Sequence, residues 1–241
     1  MSMEFRQLTT ETARSVFIDR VEMARRVHGK DYQGNGRLRA ANRSRLEASR
    51  LYGLFNCEAG LAGQMIAGIA MHDLECFPQS CREPDVSHLP PRLVVECSDH
   101  WSLSNGAGLL AWAGLAVPMR LLGIKAAIAY LAAGTNESDH AGFYTSMGFM
   151  PAGSIVAHPF VETASGGRQL VQPVVLQGAA LDNVITAFAQ ACTSFSPDTQ
   201  IFQLKHRVRP FVRHACTRPT SIDIPLQVVH QLPISATVPG A

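Results

Sequence analysis

The segment that most constrains the fold is one in which a strand leads through a short glycine loop directly into a helix. Residues 98–110 have the sequence Ser-Asp-His-Trp-Ser-Leu-Ser-Asn-Gly-Ala-Gly-Leu-Leu. An apolar strand is predicted before the loop, over 93–101, and an uncharged helical stretch after it, over 103–119. The first backbone N–H groups of a helix have no partner within it, so they point at whatever lies over the helix N-terminus. The segment therefore predicts an anion-binding site.

A second motif follows further along the chain, where residues 140–149 have the sequence His-Ala-Gly-Phe-Tyr-Thr-Ser-Met-Gly-Phe. It is similar to the Ala-x-x-Phe/Leu-Tyr-x-x-x-Gly-Phe signature of the GNAT acyltransferases, whose first loop has the pattern Arg/Gln-x-x-Gly-x-Gly/Ala. Here the loop is Leu103-Ser-Asn-Gly106-Ala-Gly108, so its glycines fit and Leu103 departs from the pattern. The resemblance implies an α/β fold in which helices flank a mixed sheet.

The resemblance also implies where a donor binds. In GNAT enzymes the pyrophosphate of coenzyme A lies on backbone amides at the start of the central helix, and glycines leave room for it. Acyl-CoA is then a co-substrate, and no cofactor is bound permanently. A plain strand-to-helix turn is the alternative. The candidate cofactor-binding residues are Trp101, Leu103, Ser104, Asn105, Gly106, Ala107 and Gly108.

Tyr144 is the candidate general acid. The resemblance implies this role, because the tyrosine of the second motif often lies near the thioester sulfur, where its phenol can protonate the leaving thiolate. The alternative is a tyrosine that only packs beside the coenzyme.

The strand before the glycine loop carries polar residues. Strict alternation places Glu96, Ser98 and His100 on one face and turns Cys97 and Asp99 to the other. A polar face inside a sheet is costly unless it lines a cleft. We therefore predict that Glu96 or His100 takes the proton of an attacking amine, directly or through water, with Ser98 beside them. Cys97 is then not a nucleophile. In the alternative, Glu96 pairs with an arginine and His100 only ends the strand.

The Glu96-Cys-Ser98 segment also resembles a narrower branch, the autoinducer synthases and N-acyl amino acid synthases, whose strand carries Glu-x-Ser-Arg. Asp99 stands in place of that arginine, so the role of the arginine is not carried over. The branch implies longer acyl chains and acyl carrier protein as an alternative donor. The acidic surface of acyl carrier protein would suit the positive charge of a surface helix that is predicted over 37–50. A solvent-exposed helix face with no partner also explains the arginines there. They are Arg37, Arg39, Arg43, Arg45 and Arg50.

The remaining periodic segments complete an α/β order. The 241 residues are 46% hydrophobic and 17% charged, which is typical of a compact protein. A first helix is predicted from Thr9 or Thr10 to about His28. The predicted order is helix, helix, three strands, helix, strand, helix and two strands. We predict an acyltransferase domain over 1–178, followed over 179–241 by a C-terminal helix and a basic, proline-containing extension.

Several classes of function are disfavoured. The net charge is only +2, and the basic segment 201–220 offers few aromatic residues for stacking on nucleic acid. No membrane span is predicted, since 103–119 is too short and contains glycine and proline. No secretory signal is found, so we expect reduced thiols in the cytoplasm. No metal site is predicted, because no recurrent zinc spacing relates His72, Cys76, Cys81 and His88.

The sequence therefore predicts an N-acyltransferase that moves an acyl group from an acyl thioester to a small amine by direct attack in a ternary complex. The alternative is a non-catalytic GNAT-fold binding or regulatory module, which Leu103 and Asp99 favour because both depart from the patterns above. The acceptor amine, the acyl chain length and the oligomeric state stay open.

Overall fold

The structure, a computed structural model, describes residues 3–27, 36–57, 63–75, 86–103, 106–133, 143–145, 147–162, 167–196 and 201–204. The helices are α1 (Glu11–Val27), α2 (Gly36–Ala48), α3 (Ala107–Leu121) and α4 (Gly178–Ala191). The strands are β1 (Met3–Gln7), β2 (Arg50–Asn56), β3 (Gln64–Asp73), β4 (Val94–Ser102), β5 (Ala126–Ala132), β6 (Met150–Pro151), β7 (Val156–Glu162), β8 (Arg168–Gln177), β9 (Cys192–Ser196) and β10 (Ile201–Leu204).

Within the described residues, the ten strands form one mixed sheet. Its order is β6-β8-β5-β4-β3-β2-β1-β10-β9, and β7 pairs with β8. β4 and β5 are parallel, and the other pairs are antiparallel. The apolar residues of α3 and α4 cover one face of the sheet, and those of α1 and α2 cover the other. The predicted α/β fold, with a mixed sheet between helices, is confirmed.

The helix α1 begins where its sequence indicates. The backbone N–H of Ala13 donates to the Thr10 hydroxyl oxygen over 3.3 Å, which satisfies one of the unpaired N–H groups of the first turn. Phe17, Ile18 and Val21 are buried against the sheet. Val16, which is also apolar, is 42% exposed and lies at the edge of this buried face.

The helix α3 is apolar on nearly all sides because it lies between the sheet and α4. Gly114 allows it to approach β1 closely, since a Cβ there would collide with the ring of Phe5. Pro118 lies inside the helix, as predicted. Among the described residues, no helix has both the length and the apolar character that crossing a membrane requires.

Four strands are absent from the sequence-based prediction. β1 precedes the first predicted helix, and β6 is only two residues long. β9 and β10 lie beyond the predicted C-terminal helix, where no regular structure is predicted. β1 pairs with both β2 and β10, and its Phe5 is fully buried. The described part of the extension, including α4, thus packs into the same sheet and core. The domain boundary at residue 178 stays a prediction, and residues 205–241 lie outside the described part.

Arg14 of α1 joins the loop before its own helix to the end of α2. Its guanidinium donates to four backbone carbonyl oxygens, and the donor–acceptor distances range from 2.6 to 3.2 Å. The acceptors include the last carbonyls of α2, which have no partner within the helix. They are the carbonyl oxygens of Leu8, Leu46, Glu47 and Ser49.

We predict that Arg14→Ala lowers the free energy of unfolding by about 2–3 kcal/mol, because it removes charge-assisted hydrogen bonds and leaves partly buried carbonyls unpaired. Arg43→Ala is the matched control, since Arg43 is 40% exposed and forms surface ion pairs, which contribute less than about 1 kcal/mol. Urea unfolding of both variants checks this. Equal losses would contradict a special role for Arg14.

Candidate active site

The sheet opens between its two parallel strands. β4 and β5 pair from Val94 to Glu96 and from Ala126 to Ile128. Beyond these residues β4 continues along β3 and β5 continues along β8, and no further pair joins them in the described part of the chain. The open length of β4 therefore presents its backbone to the gap between the strands. A ligand that runs between β4 and β5 would meet residues 97–102.

A bulge lies on this open length. Ser98 pairs with Ala70 and Trp101 pairs with Gly68, so two residues of β4 oppose one residue of β3. Asp99 has a φ of 51°, in the left-handed region that aspartate adopts more readily than most residues. The bulge places Ser98 and Asp99 on the same face and breaks the alternation of side chains.

Two predicted orientations on β4 are therefore wrong. Asp99 lies beside Ser98 on the face that carries Glu96, where it accepts a hydrogen bond from the Ser98 hydroxyl over 2.9 Å. His100 points to the opposite face, towards α3, and its ring lies 6.5 Å from that of Trp112. The strand prediction itself is correct, but the alternation does not continue past Ser98.

The face of β4 towards α3 is aromatic. Tyr144, in the helical turn at 143–145, packs edge-on against Trp112 and Phe149, with ring centroids 5.6 and 5.1 Å apart. Burial raises the pKa of Tyr144, and the nearby Cys97 raises it further. Its phenol is therefore protonated at neutral pH, as a proton donor must be. Cys97 lies on this face, away from Glu96, as predicted.

The start of α3 matches the predicted anion site only in part. Gly106 precedes the helix with a φ of 84°. Among the described residues, no side chain caps the first turn, and no atom lies within 4 Å of the place where a Cβ of residue 106 would stand. The N–H of Leu103, however, donates to the carbonyl oxygen of Ile66 over 2.8 Å. Gly108 is needed for packing, since its Cβ would lie 2.7 Å from the His100 ring.

Other predicted donor-site residues differ from the expectation. Trp101 is buried on the face towards α1, where its ring lies 6.0 Å from that of Phe17, so it does not face the start of α3. This follows from the bulge, which sets the direction of every later side chain of β4. Ser104 and Asn105 lie outside the described residues. Ala107 is the first residue of α3, and its side chain is buried.

The face of β4 towards α2 holds a buried ionic network. One nitrogen of Arg45, Nη2, lies 2.6 Å from Oε1 of Glu96, 2.6 Å from the hydroxyl oxygen of Ser98 and 2.7 Å from Nε2 of His72. Arg45, His72 and Glu96 are 3%, 0% and 0% exposed. Oε2 of Glu96 is also buried and has no hydrogen-bond partner among the described residues. The predicted base is thus paired with an arginine, and it lies where β4 still pairs with β5, at the end of the opening.

A second ion pair adjoins the first. Arg25 of α1 donates to Oδ1 of Asp99 and to the carbonyl oxygen of Phe160 in β7. Burial alone would raise the pKa of Asp99, but Arg25, His72 and Arg45 together hold it well below its usual value. Asp99 is therefore an anion, and it links the two arginines across the bulge.

His158 of β7 lies close to the charged residues of this network. Its ring lies 5.6 Å from that of Tyr130 in β5, and its Nδ1 accepts a hydrogen bond from the N–H of Phe160 over 3.1 Å. Burial lowers the pKa of His158 to about 3, and the positive charges of Arg45 and Arg25 contribute. The ring is therefore neutral at pH 7.

The prediction that the arginines of this helix lie on the surface is wrong for Arg45. Arg45 belongs to the buried side of α2, together with Leu38, Asn42 and Leu46. Arg39 and Arg43 are exposed but pair with Glu22, and Arg43 pairs with Glu47 as well. An i, i+4, i+7 spacing from Leu38 marks the buried face, but an arginine in that spacing is normally assigned to solvent.

Two of the four residues without a recurrent zinc spacing are described. His72 is buried in the Arg45 network and His88 is exposed, while Cys76 and Cys81 lie outside the described residues. The described part of the chain contains no group of three metal-ligating side chains.

Comparison with solved structures identifies the fold. FeeM, an N-acyl amino acid synthase from uncultured soil microbes, superposes with a TM-score of 0.52 at 12% identity, over 79% of this chain and 95% of its own. A GCN5-related N-acetyltransferase from Brucella melitensis superposes with a TM-score of 0.50 at 13% identity, over 87% of this chain and 90% of its own. No family model matches the sequence, and no curated protein matches it.

The chain has the GNAT fold. The predicted resemblance to the GNAT superfamily is confirmed at the level of fold. In this GNAT fold the opening between β4 and β5 separates an aromatic face, with Tyr144, from an ionic face, with Glu96 and Ser98.

Because His158 is neutral in the fold, the free energy of unfolding should depend on pH in the acidic range. An unfolded histidine titrates near pH 6.5, whereas the pKa of His158 is about 3 in the fold. Between these values the unfolded chain binds more protons, so the free energy of unfolding falls as the pH is lowered, by up to about 1.4 kcal/mol per pH unit. Asp99 acts in the same direction at lower pH, since its lowered pKa stabilises the fold only while it is ionised.

We expect His158→Gln to reduce this pH dependence between about pH 6.5 and 4.5, because glutamine does not titrate. Urea unfolding at a series of pH values measures the slope, which does not depend on the overall stability of the variant. The matched control is His88→Gln, a change at an exposed histidine, which should keep the wild-type slope. Equal slopes in both variants would refute the assignment.

Proposed function

We propose that this protein is an N-acyltransferase that moves an acyl group from an acyl thioester to an amine by direct attack. The proposal depends chiefly on one observation. Among the described residues, the opening between β4 and β5 has on one face the start of α3, which no side chain caps, and a protonated Tyr144. On the other face it has Ser98 and, at the end of the opening, Glu96, whose Oε2 has no hydrogen-bond partner there. A thioester and an amine can therefore approach the same stretch of β4 from opposite faces, which supports a ternary complex.

Coenzyme A is the proposed carrier of the acyl group. The start of α3 offers N–H groups that have no side-chain cap, and Gly106 leaves open space in front of them. Of the predicted loop, the proposed pyrophosphate site retains Gly106, Ala107 and Gly108 and loses the N–H of Leu103, which is already paired. Acyl-CoA binds there as a co-substrate and leaves as coenzyme A.

Acyl carrier protein is the less favoured donor. Its docking would need several free positive charges on α2, but Arg45 is buried and Arg39 and Arg43 are paired with acidic residues, which leaves the exposed Arg37 among the described residues of the helix. Exposed ion pairs of this kind are already largely neutralised. Acyl-CoA is therefore the first donor to test.

The chemistry is divided between the two faces. On the aromatic face, Tyr144 donates its phenolic proton to the thiolate that leaves. On the ionic face, Oε2 of Glu96 attracts the amine, and the amine loses a proton to this face as it attacks the carbonyl carbon. His100 faces α3, so it is not the base on the acceptor side.

Turnover with a panel of amines tests the proposal. Acetyl-CoA and octanoyl-CoA are incubated with amino acids, a polyamine and an aryl amine, and release of the free thiol is followed together with the mass of the product. Amino acids are tested first, because FeeM is an N-acyl amino acid synthase. A protein that binds coenzyme A but transfers to none of these amines would instead be a binding or regulatory module.

Gly106→Val should weaken coenzyme A binding at least tenfold, about 1.4 kcal/mol, because its side chain occupies the open space in front of the α3 amides. Gly123→Val is the matched control, since Gly123 also has a positive φ and open surroundings but lies beyond the far end of α3. It carries the same backbone strain without approaching the site. Titration calorimetry decides, and equal affinity in the two variants would exclude pyrophosphate binding at this loop.

Tyr144→Phe should lower kcat on the order of 10²-fold and leave coenzyme A binding nearly unchanged, because only the proton donor is removed. Tyr52→Phe is the control, because it also removes a buried hydroxyl. The Tyr52 ring stacks on Phe5, and Tyr52 belongs to β2, which β3 separates from β4. This variant should keep the wild-type rate. Steady-state kinetics measures both variants. A wild-type rate for Tyr144→Phe would reduce this residue to a packing role.

A further inference from the structure

His72 of β3 takes no part in the predicted site, yet it lies at the centre of the ionic network. It is fully buried, and Ser49, Arg45 and Ser98 contact its two ring nitrogens. The Ser49 hydroxyl has one hydrogen and two acceptors within reach, the carbonyl oxygen of Arg45 at 2.6 Å and Nδ1 of His72. Nε of Arg45 lies 3.5 Å from the same Nδ1. When Ser49 donates to the Arg45 carbonyl, its oxygen accepts from a protonated Nδ1, and Nε2 carries a lone pair. A relay through Ser98 requires this tautomer.

The lone pair of Nε2 faces Ser98. The Ser98 hydroxyl oxygen lies 2.7 Å from Nε2 and 2.9 Å from Oδ2 of Asp99, so its hydrogen has two acceptors. Nη2 of Arg45 carries two hydrogens but lies within 2.7 Å of three acceptors, on Glu96, Ser98 and His72. The network is complete when Arg45 donates to Glu96 and Ser98, and Ser98 donates to His72.

Ser98 is also the member of this group that borders the opening. It is partly buried, and it lies on the length of β4 that no longer pairs with β5, whereas His72 behind it is fully buried. A proton can therefore reach His72 from the opening through the Ser98 hydroxyl.

We propose that Ser98 relays a proton from the attacking amine to His72, a step that rests on the proposed acyl transfer. The amine nitrogen forms a bond to the thioester carbonyl carbon and gives a proton to the Ser98 oxygen, while the hydrogen of Ser98 passes to Nε2 of His72. The carbon–sulfur bond then breaks, and the thiolate takes the proton of Tyr144. Solvent returns a proton to Tyr144 and removes one from His72, so the products are an amide and a thiol.

The network can hold His72 in both protonation states. When Nε2 gains the proton it donates to the Ser98 oxygen, and the Ser98 hydroxyl turns to Oδ2 of Asp99, so each group again has a partner. The hydrogen bond of Nδ1 to Ser49 is the same in both states. Ser98 thus moves a hydrogen between two acceptors without a change in the position of its oxygen.

The charges that face His72 oppose one another. Arg45 from α2 disfavours the imidazolium, whereas Glu96 and Asp99 from β4 favour it. Arg25 from α1 pairs with Asp99, and the neutral His158 from β7 lies beyond it. Burial lowers the pKa of His72, as does Arg45, so the ring is neutral at pH 7 and can accept a proton.

Kinetics of Ser98 and His72 variants tests the relay, with whichever acyl-CoA and amine the panel identifies. Ser98→Ala and His72→Gln should each lower kcat on the order of 10²-fold. Because both act in one relay, the double variant should be no slower than the slower single variant. Ser98→Thr keeps the hydroxyl and should restore most of the rate. Ser194→Ala, at an exposed position of β9, is the control and should match the wild type.

The pH profile separates a relay from a structural role. The wild-type kcat/KM should fall at acidic pH as His72 becomes protonated, and His72→Gln should lack this limb, whereas a purely structural loss would leave the limb in place. Glu96→Gln should keep the limb but move it to lower pH, because the Glu96 charge favours the imidazolium. ¹⁵N NMR of the wild type should show Nε2 unprotonated and Nδ1 protonated at pH 7, a readout that does not require any variant to fold.

The outcomes distinguish the two proposals. Absence of turnover with every pair in the panel overturns the proposed function and the relay with it. Turnover in which Ser98→Ala runs at the wild-type rate, or in which the two losses multiply, overturns the relay alone. The opposite tautomer of His72 in the NMR spectrum also overturns it.

Discussion

The Arg45 guanidinium of α2 and the Glu96 carboxylate of β4 form a buried ion pair, 2.6 Å apart and almost without contact with water. Removing one partner of such a pair commonly costs 3–5 kcal/mol, roughly, because the other charge is left buried and unpaired. The pair fixes α2 against β4, and the ring of Phe160 in β7 packs under the same guanidinium, 4.8 Å from its carbon. The wall of the opening towards α2 is therefore positioned by charge pairing, whereas aromatic packing forms the wall towards α3.

The bulge at Asp99 explains why the two faces of the opening differ. It places a second carboxylate beside Glu96, which requires the second arginine, Arg25, and it turns His100 into the aromatic face. One strand thus separates a region that keeps Tyr144 protonated from a region that keeps His72 neutral. Environments that push the pKa values of two groups apart are a general way to separate a proton donor from a proton acceptor.

The sequence predicts the elements whose periodicity is strong and local. The structure contains the predicted C-terminal helix as α4, and the glycines and apolar flanks around Gly106 predict the observed strand-loop-helix unit. β1 was missed because five residues carry little periodic signal, and its burial depends on β10, which lies far along the chain. Pairing at such a separation is a property of the tertiary structure, which no local pattern contains.

The site was predicted less completely than the fold, for two physical reasons. A single added residue in a strand reverses every later side chain, so the error at Asp99 also displaced His100 and Trp101. Burial of Arg45 cannot be inferred from α2 alone, since it is favourable only because Glu96 and Asp99 meet it there. Charge pairing between distant elements is therefore visible only in the fold.

The glycine loop shows that one sequence pattern can have several physical causes. Gly108 is required by the His100 ring, which leaves no room for a Cβ, and Gly114 is required by Phe5. Only Gly106 combines a left-handed backbone with open space in front of the helix. Packing alone can therefore require glycines in such a pattern. The proposal of a bound pyrophosphate depends on Gly106 and on the first turn of α3, which no described side chain caps, rather than on the whole motif.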